Sequence, residues 1–394
     1  MKTSARPAIT RLAPSLLALS MTAAFADPQP LAQVIQKGFP AWDADKDGSL
    51  TIDEINLALA DPEVRGEEAA AVAAIYRATR NKSHPMQPPF ALSDLVKQES
   101  GEANTPAGDE DLGIPRLGSY YAAYVEKIQG APHELFASGA PSLNGFRQGK
   151  VGSCFCLAPM AALINRDPAA VAARFTRDGD GFTVRLNGDR TVHVTAPTDG
   201  EIAISSGTGG QGYWSTVYEK AVGQMRIEDK SLKDPPLVAA TAGSAGTMVK
   251  VLTGNEIKRF SCSPWRKTET TPAEKDALLD QLRTLLRETS SAHRLITAGT
   301  GAKGNTVPGI SSMHAYAVLG YDAGRDNVII RDPHGQDYQP RGTPGLQNGY
   351  PAAKGVMEIP LREIVQFMGG FAFEQNIPAR KKGAPSPETT ADGA

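Results

Sequence analysis

Two spacings of hydrophobic residues divide the chain. From about Pro28 to Lys97, apolar positions recur near every 3.6 residues in LAQVIQKGF, TIDEINLALA and EVRGEEAAAVAAIYRAT, which predicts amphipathic helices. After about Ile114, the helical stretch YYAAYVEKI is followed by alternating stretches such as FTVRLNG and TVHVTAP, which predict strands. The pattern therefore predicts an α+β protein in which an all-α domain comes first.

A loss of periodicity marks the boundary between these two domains. Residues 101–113 gather Gly, Pro and acidic residues, as linkers do. We therefore predict a helical domain at 27–100, a mixed domain at 114–380 and a disordered tail at 381–394, which lacks the apolar content to order it. A chain of 394 residues with 41% hydrophobic composition is long enough to bury two unequal cores.

The first 26 residues have the features of a secretory signal peptide. Lys2, Arg6 and Arg11 precede the apolar stretch LLALSMTAAFA, which ends in Ala-Phe-Ala at 24–26. A short membrane anchor is the alternative, but the apolar stretch is too short to span a bilayer. We expect cleavage after residue 26 and an exported protein, either periplasmic or secreted.

The charge balance of the chain excludes two classes of partner. Removal of the signal segment takes away three basic residues and no acidic one, so the net charge falls from −2 to −5. A mildly acidic protein has no electrostatic attraction for nucleic acid or for anionic lipids. The sequence therefore predicts neither a nucleic-acid partner nor a membrane partner, and it leaves the oligomeric state open.

The segment WDADKDGSLTIDEI has the spacing of a twelve-residue calcium-binding EF-hand loop. Carboxylates at alternate positions turn toward one centre, Gly48 permits the sharp turn, and a final Glu closes the shell with both oxygens. A shell of about seven oxygens favours Ca²⁺ over Mg²⁺. The predicted ligands are Asp43, Asp45, Asp47, Ser49 through its carbonyl, Thr51 and Glu54.

Two alternatives stand beside the calcium site. An Asp-rich surface turn that binds nothing is the first. The second concerns pairing, because EF-hands usually occur in pairs and no second acidic loop follows. The stretch HPMQPPFALSDLVKQ is a candidate for a degenerate partner that keeps the helices and has lost the ligands. We expect a structural or maturation role for calcium outside the cell, where the ion is plentiful.

One of the three cysteines has the sequence context of a nucleophile. FRQGKVGSCFCLAPMAALI predicts a Gly-rich loop that leads into an apolar helix beginning at Cys154. The positive end of a helix lowers the pKa of a thiol there and favours the thiolate. Gln148 is placed to supply an oxyanion donor together with the Cys154 N–H. Cys156, two positions on, suits a buried structural role instead, and a Cys156 to Cys262 disulfide stays open as an alternative.

A predicted hairpin supplies the partner of this thiol. HAYAVLGYD and NVIIRDP are two β-rich stretches joined by a short turn at Ala323 and Gly324. His314 and Asp332 each lie nine residues from Ala323, so we expect them directly opposite each other on one face. An imidazole held by a carboxylate is the base and its orienting group in a catalytic triad.

Several of these segments resemble calpains. QGKVGSCFCLA resembles the calpain signature around the active-site cysteine, and HAYAVLGYD and IIRDPHG resemble the segments of the other two triad residues. YWSTVYEKA and SAGTMVKVLTG resemble calpain core segments in the same order. The resemblance spans about Gly139 to Phe371. It implies a papain-like fold, in which a helical lobe carries the cysteine, a β-rich lobe carries the other two residues, and a cleft lies between them.

The resemblance also implies a role for each matching residue. Cys154 matches the nucleophile, His314 the general base and acid, and Gln148 the oxyanion donor, whereas Asp332 stands where the family has Asn. Three further positions depart from the family. Ser153 replaces Asp before the nucleophile, and Phe155 replaces Trp after it. His334 replaces a Trp that shields the His314–Asp332 pair from water.

The sequence thus predicts an exported, calcium-binding cysteine endopeptidase that cleaves a protein or peptide substrate through an acyl-enzyme. An acyltransferase or transamidase with the same triad is the first alternative, because both reactions share the acylation step. A catalytically decayed calcium-binding module is the second. The position of the N-terminal domain would also suit a propeptide that covers the cleft.

Overall fold

A computed structural model describes residues 28–81, 85–102, 117–187, 189–301 and 307–378. The predicted signal peptide at 1–26 and the predicted tail at 381–394 lie outside these residues. So does the predicted linker, apart from its first two residues. In the described part the chain combines helices with antiparallel sheets, which confirms the α+β class.

The N-terminal region forms two helix–loop–helix units. The helices are α1 Leu31–Trp42, α2 Ile52–Ala60, α3 Gly66–Thr79 and α4 Leu92–Glu102. Two short strands, β1 Ser49–Leu50 and β2 Phe90–Ala91, pair in an antiparallel manner and join the two loops. This pairing places the residues just before α4 beside the residues just before α2.

A second group of helices surrounds a small sheet. It contains α5 Leu117–Gln129, α6 Cys154–Arg166, α7 Pro168–Ala172, α8 Asp199–Ile204, α9 Trp214–Lys230, α10 Pro236–Ala239 and α11 Ala245–Thr253. The sheet contains β3 Phe175–Asp178, β4 Gly181–Arg185 and β5 Thr191–Thr195 in an antiparallel meander. Helix α6 is buried along most of its length, which agrees with its apolar sequence.

A larger antiparallel sheet makes up the C-terminal half. Its strands are β6 Asn255–Ser261, β7 Ile296–Thr300, β8 Ala315–Asp322, β9 Asn327–Arg331, β10 Ala352–Ala353, β11 Val356–Pro360 and β12 Met368–Pro378. They lie in the order β10-β11-β9-β8-β7-β12-β6, so the last strand sits between β7 and β6. Helices α12 Pro272–Ser291 and α13 Leu361–Phe367 and a short 3-10 helix at Ser263–Arg266 accompany this sheet.

The N-terminal helices share a hydrophobic core with the second group of helices. One buried cluster contains residues of α1, α2 and α3 together with residues of α5, α8 and α10. Hydrogen bonds cross the same boundary. The Thr198 hydroxyl donates to the Leu59 carbonyl at 2.5 Å, and the Gly66 N–H donates to Asp199 at 2.7 Å. The two predicted domains are therefore joined by continuous packing.

The three cysteines, all within the described residues, are free thiols. Cys156 belongs to the hydrophobic cluster around α6, whereas Cys262 belongs to the cluster of the large sheet. The disulfide that the sequence left open is absent because its two cysteines lie in different cores. Among the described residues, no helix combines the length and the apolar character that a bilayer crossing requires.

Candidate active site and acidic loop

The Cys154 thiol stands at the first residue of helix α6, as the sequence predicted. Burial raises the pKa of this thiol, but its hydrogen bond with His314 and the positive charge of that ring outweigh burial, and the pKa lies below its ordinary value. Cys156 is fully buried, its sulfur contacts the Ser153 carbonyl at 3.1 Å, and burial raises its pKa well above the ordinary value. The pKa values of the two thiols are therefore shifted in opposite directions.

His314 and Asp332 form a buried pair in which Nε2 of the ring lies 2.8 Å from Oδ1 of the carboxylate. Burial disfavours the imidazolium, yet the hydrogen bonds with Asp332 and Cys154 raise the pKa of His314 to about 9. Burial also opposes the charge of Asp332, but hydrogen bonds with His314 and His334 hold its pKa well below the ordinary value. The site thus favours a thiolate beside an imidazolium.

The hairpin brings these two residues together in a register different from the one predicted. Strand β8 pairs with β9 so that Ala317 faces Arg331 and Asp322 faces Asn327. His314 and Asp332 lie just beyond the strand ends, and they are offset by two residues rather than directly opposite. The prediction of direct opposition was wrong because the turn is centred between Gly324 and Arg325 rather than at Ala323, and a one-residue shift between Val318 and Gly320 corrects only part of this offset. The shift keeps both side chains on one face.

His334 lies directly beside the imidazole of His314. Its ring stacks on His314 with centroids 4.4 Å apart and an angle of 8° between the planes. Its Nδ1 lies 3.0 Å from Oδ1 of Asp332, and its backbone N–H donates to the same oxygen at 2.8 Å. The sequence identified this position only as a departure from the calpain pattern. In the structure, the imidazole covers one face of His314 and adds hydrogen bonds to Asp332.

Gln148 lies next to the site and is held by two backbone contacts. Its side-chain N–H donates to the Val151 carbonyl at 2.9 Å, and its backbone N–H donates to the Pro333 carbonyl at 2.8 Å. A primary amide carries two hydrogens, so one remains for a further acceptor. The adjacent Gly149 passes so close to Ser205 that a Cβ would lie 2.1 Å from the Ser205 carbonyl, which explains the glycine.

Ser153, the residue before Cys154, contacts a buried carboxylate to which the sequence assigned no role. Glu219 on α9 accepts hydrogen bonds from the Ser153 hydroxyl at 2.5 Å and from the Ser206 N–H at 2.8 Å. Burial raises the pKa of Glu219, while these hydrogen bonds oppose the rise. Ser153 therefore fills the position before Cys154 as a hydrogen-bond donor to Glu219. Only the tertiary structure reveals this link between α9 and α6.

A groove with a volume of about 540 Å³ opens over the thiol and the imidazole. Its walls come from the N-terminal ends of α6 and α11 on one side and from β6, β7 and β12 on the other. All of the residues that line it lie between Cys154 and Ala372, so none of the described residues of the N-terminal region covers it. Cys154 and His314 both border this groove.

The acidic loop between α1 and α2 gathers three of the predicted calcium ligands. Carboxylate oxygens of Asp43, Asp45 and Asp47 lie within 4.8 Å of one another, and Gly48 adopts a φ of 86° at the turn. The Ser49 N–H donates to Asp47 at 2.8 Å. These contacts produce a compact, oxygen-rich loop.

The last two predicted ligands have other contacts. Glu54 accepts hydrogen bonds from the N–H groups of Ala44 at 2.9 Å and Thr51 at 2.8 Å. Thr51 is the N-cap of α2 and forms a reciprocal capping box with Glu54. Burial raises the pKa of Glu54, but the hydrogen bonds from Thr51, Asp45 and Ala44 outweigh burial and lower it. Glu54 thus ties the two ends of the loop together.

Two comparisons with known proteins give no match. No protein-family model matches the chain, and no curated protein matches it. Function is therefore inferred from the geometry of the groove and of the acidic loop.

Proposed function

We propose that the protein is a calcium-binding cysteine endopeptidase with a papain-like arrangement of two lobes. The observation that supports this most directly is the chain of contacts from Cys154 to His314 to Asp332 at the base of an open groove. The thiol comes from the N-terminus of a helix, and the other two residues come from the end of a β-hairpin. These are the parts and positions that acyl transfer through a thiolate requires.

Acylation begins when the Cys154 thiolate attacks the carbonyl carbon of a substrate peptide bond. The new C–S bond places negative charge on the carbonyl oxygen, which the Cys154 N–H and the remaining side-chain N–H of Gln148 would stabilise. The His314 imidazolium then gives its proton to the leaving nitrogen, and the C–N bond breaks. Asp332 keeps the ring oriented and stabilises its positive charge throughout.

Deacylation uses the same groups in reverse. Neutral His314 removes a proton from water, the resulting hydroxide attacks the thioester carbon, and a second oxyanion forms at the same donors. The C–S bond then breaks, which releases a carboxylic acid and restores the thiolate beside the imidazolium. An amine in place of water would give transamidation.

The acidic loop fits a calcium ion of the EF-hand type. Asp43, Asp45 and Asp47 supply hard carboxylate oxygens that already converge, and hard oxygens are the ligands that Ca²⁺ prefers. The bound ion would neutralise repulsion among these carboxylates and stabilise the loop. Helix α2 follows the loop, and its Leu59 carbonyl accepts a hydrogen bond from Thr198, the N-cap of α8. At the other end of α8, Ser205 lies against Gly149, which follows Gln148. Calcium would thereby help to hold Gln148 and Gly149 in place.

Hydrolysis of a labelled general protein substrate tests the proposal. We expect cleavage by the wild-type protein with Ca²⁺, weaker cleavage with a calcium chelator, and none by Cys154→Ala. Mass spectrometry should find new free carboxyl termini, and an excess of added amine should not replace them with amides. Amide products would favour transamidation instead, and equal cleavage by Cys154→Ala would rule out the thiol mechanism.

Thiol labelling provides a control within the same molecule. At neutral pH we expect iodoacetamide to modify Cys154 quickly and to leave Cys156 and Cys262 unmodified, because both are buried and burial raises their pKa values. Peptide mapping of the labelled protein reports all three sites at once. Equal rates at Cys154 and Cys156 would contradict the assigned nucleophile.

A further inference from the structure

The groove over Cys154 has an unusual distribution of charge. Among the described residues that line it, Arg259 is the only charged one apart from His314, and none is Asp or Glu. Most of the other lining residues are small or apolar, and they include Gly243, Ala245, Gly246, Gly370 and Ala372. The described wall of the groove is therefore weakly polar and carries the positive charge of Arg259.

Arg259 is held across the first turn of α11 by weak contacts. It lies on strand β6, opposite Ala372 of β12, and it is exposed. Its Nη2 donates to the Ser244 hydroxyl at 3.3 Å, and its Nη1 would lie 3.1 Å from a Cβ placed at Gly246. The absence of a side chain at Gly246 thus gives the guanidinium room to rest against α11.

Several exposed or half-exposed arginines of the molecule have acidic partners, whereas other exposed arginines such as Arg177, Arg287 and Arg341 form no ion pair with a described carboxylate. Arg325 pairs with Asp322 at 2.7 Å, Arg362 pairs with Asp276 at 2.7 Å, and Arg190 pairs with Asp229 at 3.0 Å. Among the described residues, no carboxylate comes within 4.0 Å of the Arg259 guanidinium.

A guanidinium in this position selects a carboxylate. It is charged at every relevant pH and offers five N–H donors in a planar fork that matches the two oxygens of a carboxylate. Only one donor is used by Ser244, and a neutral hydroxyl is a weaker partner than a carboxylate. The α11 backbone adds partial positive charge, because the helix begins at Ala245 on the same wall.

We propose that Arg259, flanked by Ser244 and Gly246, forms a subsite that binds a carboxylate of the substrate, so that the enzyme prefers peptide segments with an Asp or Glu near the cleaved bond. This inference rests on the proposed function for its place in catalysis. The recognition itself depends only on the groove and the guanidinium, so it can be measured by binding without turnover.

The first test measures cleavage of internally quenched peptides with blocked termini, in which Glu replaces Gln at one position after another. We expect at least a tenfold higher kcat/KM with Glu at one position, and a smaller preference at high salt. Arg259→Gln should abolish this preference, and Arg259→Glu should reverse it in favour of Lys. The matched control is Lys258→Gln. Lys258 precedes Arg259 on β6 and is not part of the groove lining, so this variant should keep the preference.

A second arm identifies the source of the carboxylate. Peptides with neutral side chains and a free C-terminus are compared with the same peptides carrying an amidated C-terminus. A preference for internal Glu supports selection of acidic side chains, and a preference for the free C-terminus supports binding of the chain end at the same subsite. Glu and Gln peptides cleaved within twofold of each other at every position, with no effect of Arg259→Gln, would overturn the subsite.

Binding to Cys154→Ala separates the two proposals. Fluorescence anisotropy should show tighter binding of the Glu peptide than of the Gln peptide, and the difference should vanish when Arg259→Gln is added. If wild type cleaves no peptide but this difference is present, the proposed peptidase function fails and the carboxylate subsite holds. If peptides are cleaved and bound without regard to charge, the peptidase holds and the subsite fails.

Discussion

The Asp332 carboxylate receives hydrogen bonds from three directions, because both His314 and His334 rings and the His334 backbone contact one oxygen. Its hydrogen bond with His314 is the main reason why the pKa of that imidazole is raised against the effect of burial, and its negative charge adds to the rise. In calpains an Asn orients the histidine without adding charge. The present site should therefore keep its imidazolium to higher pH than an Asn-containing site would.

Replacing Asp332 by Asn tests this effect of charge. The thiolate–imidazolium pair exists above the lowered pKa of Cys154 and below the raised pKa of His314, near 9. Loss of the negative charge lowers the pKa of His314, so the alkaline limb of the kcat/KM profile should move toward lower pH by about one unit or more. The measurement is kcat/KM across pH for both proteins. An unmoved alkaline limb would show that the charge of Asp332 does not raise the pKa of His314.

His334 offers a second test at the scale of one residue. His334→Ala removes the stacked ring and one hydrogen bond to Asp332, and a hydrogen bond to a charged group contributes about 1.5–3 kcal/mol, so we expect kcat/KM to fall about tenfold. His334→Trp restores an aromatic cover and should recover most of the rate. Steady-state kinetics and thermal melts of both variants separate catalysis from folding. Equal rates for wild type and His334→Ala would leave the ring without a catalytic role.

At the scale of elements, a buried ion pair ties helix α9 to helix α8. Lys220 donates to Glu201 at 2.7 Å and also to the Thr195 hydroxyl at 2.9 Å. Glu201 is part of the capping box that opens α8. Both side chains are almost completely buried, so each charge depends on the other. This pair fixes α8 against the helix that also carries Glu219.

Lys220→Met should destabilise the protein by about 3–5 kcal/mol at neutral pH, because it leaves Glu201 buried without a counter-charge. Burial raises the pKa of Glu201, and loss of Lys220 raises it further. The cost should therefore shrink as the pH falls and Glu201 takes up a proton. Urea unfolding at two pH values measures it, and the double variant Lys220→Met, Glu201→Gln should recover part of the loss. A cost below about 1 kcal/mol would mean that the pair is solvated.

Local patterns predicted the elements better than their pairing. The helix that begins at Cys154 and the hairpin at 315–331 follow from apolar spacing and turn residues close in sequence. The shift in register near Leu319 could not be read from the sequence, because a bulge depends on packing across the sheet. The position of β12 between β7 and β6 also depends on contacts between residues distant in the chain.

The candidate site also contains both residues that local motifs identify and contacts that depend on the tertiary structure. Cys154, His314 and Asp332 stand in local motifs, so sequence spacing was sufficient to select them. The support of Ser153 by Glu219 joins residues 66 positions apart, and no short motif records such a contact. No short motif pointed to Arg259 either, because its proposed role depends on its position in the wall of the groove.

At the scale of the whole molecule, the shared core constrains how the N-terminal region can function. Tyr121, Tyr124, Val125 and Ile128 of α5 are buried in the cluster that contains α1 and α3. A propeptide that detaches would expose this surface. The packing therefore favours a permanent structural unit over a removable cover.

A chain that begins at Ile114 tests this view. It lacks the partners of α5 and α8, so we expect it to be poorly soluble and to unfold without a cooperative transition. Expression yield, far-UV circular dichroism and thermal melts provide the measurements, with the chain beginning at residue 27 as the control. A soluble, cooperatively folded and fully active shorter chain would show that the N-terminal helices are dispensable.

Strand β12 is synthesised after the other described strands, which affects when the groove can form during translation. It is the last described element of the chain, yet it joins β7 to β6 and supplies Gly369 to Ala372 of the groove wall. A nascent chain on the ribosome that has not yet released this segment can place neither the edge strand with Arg259 nor that wall. This wall of the groove can therefore form only after residues 369–372 have left the ribosome.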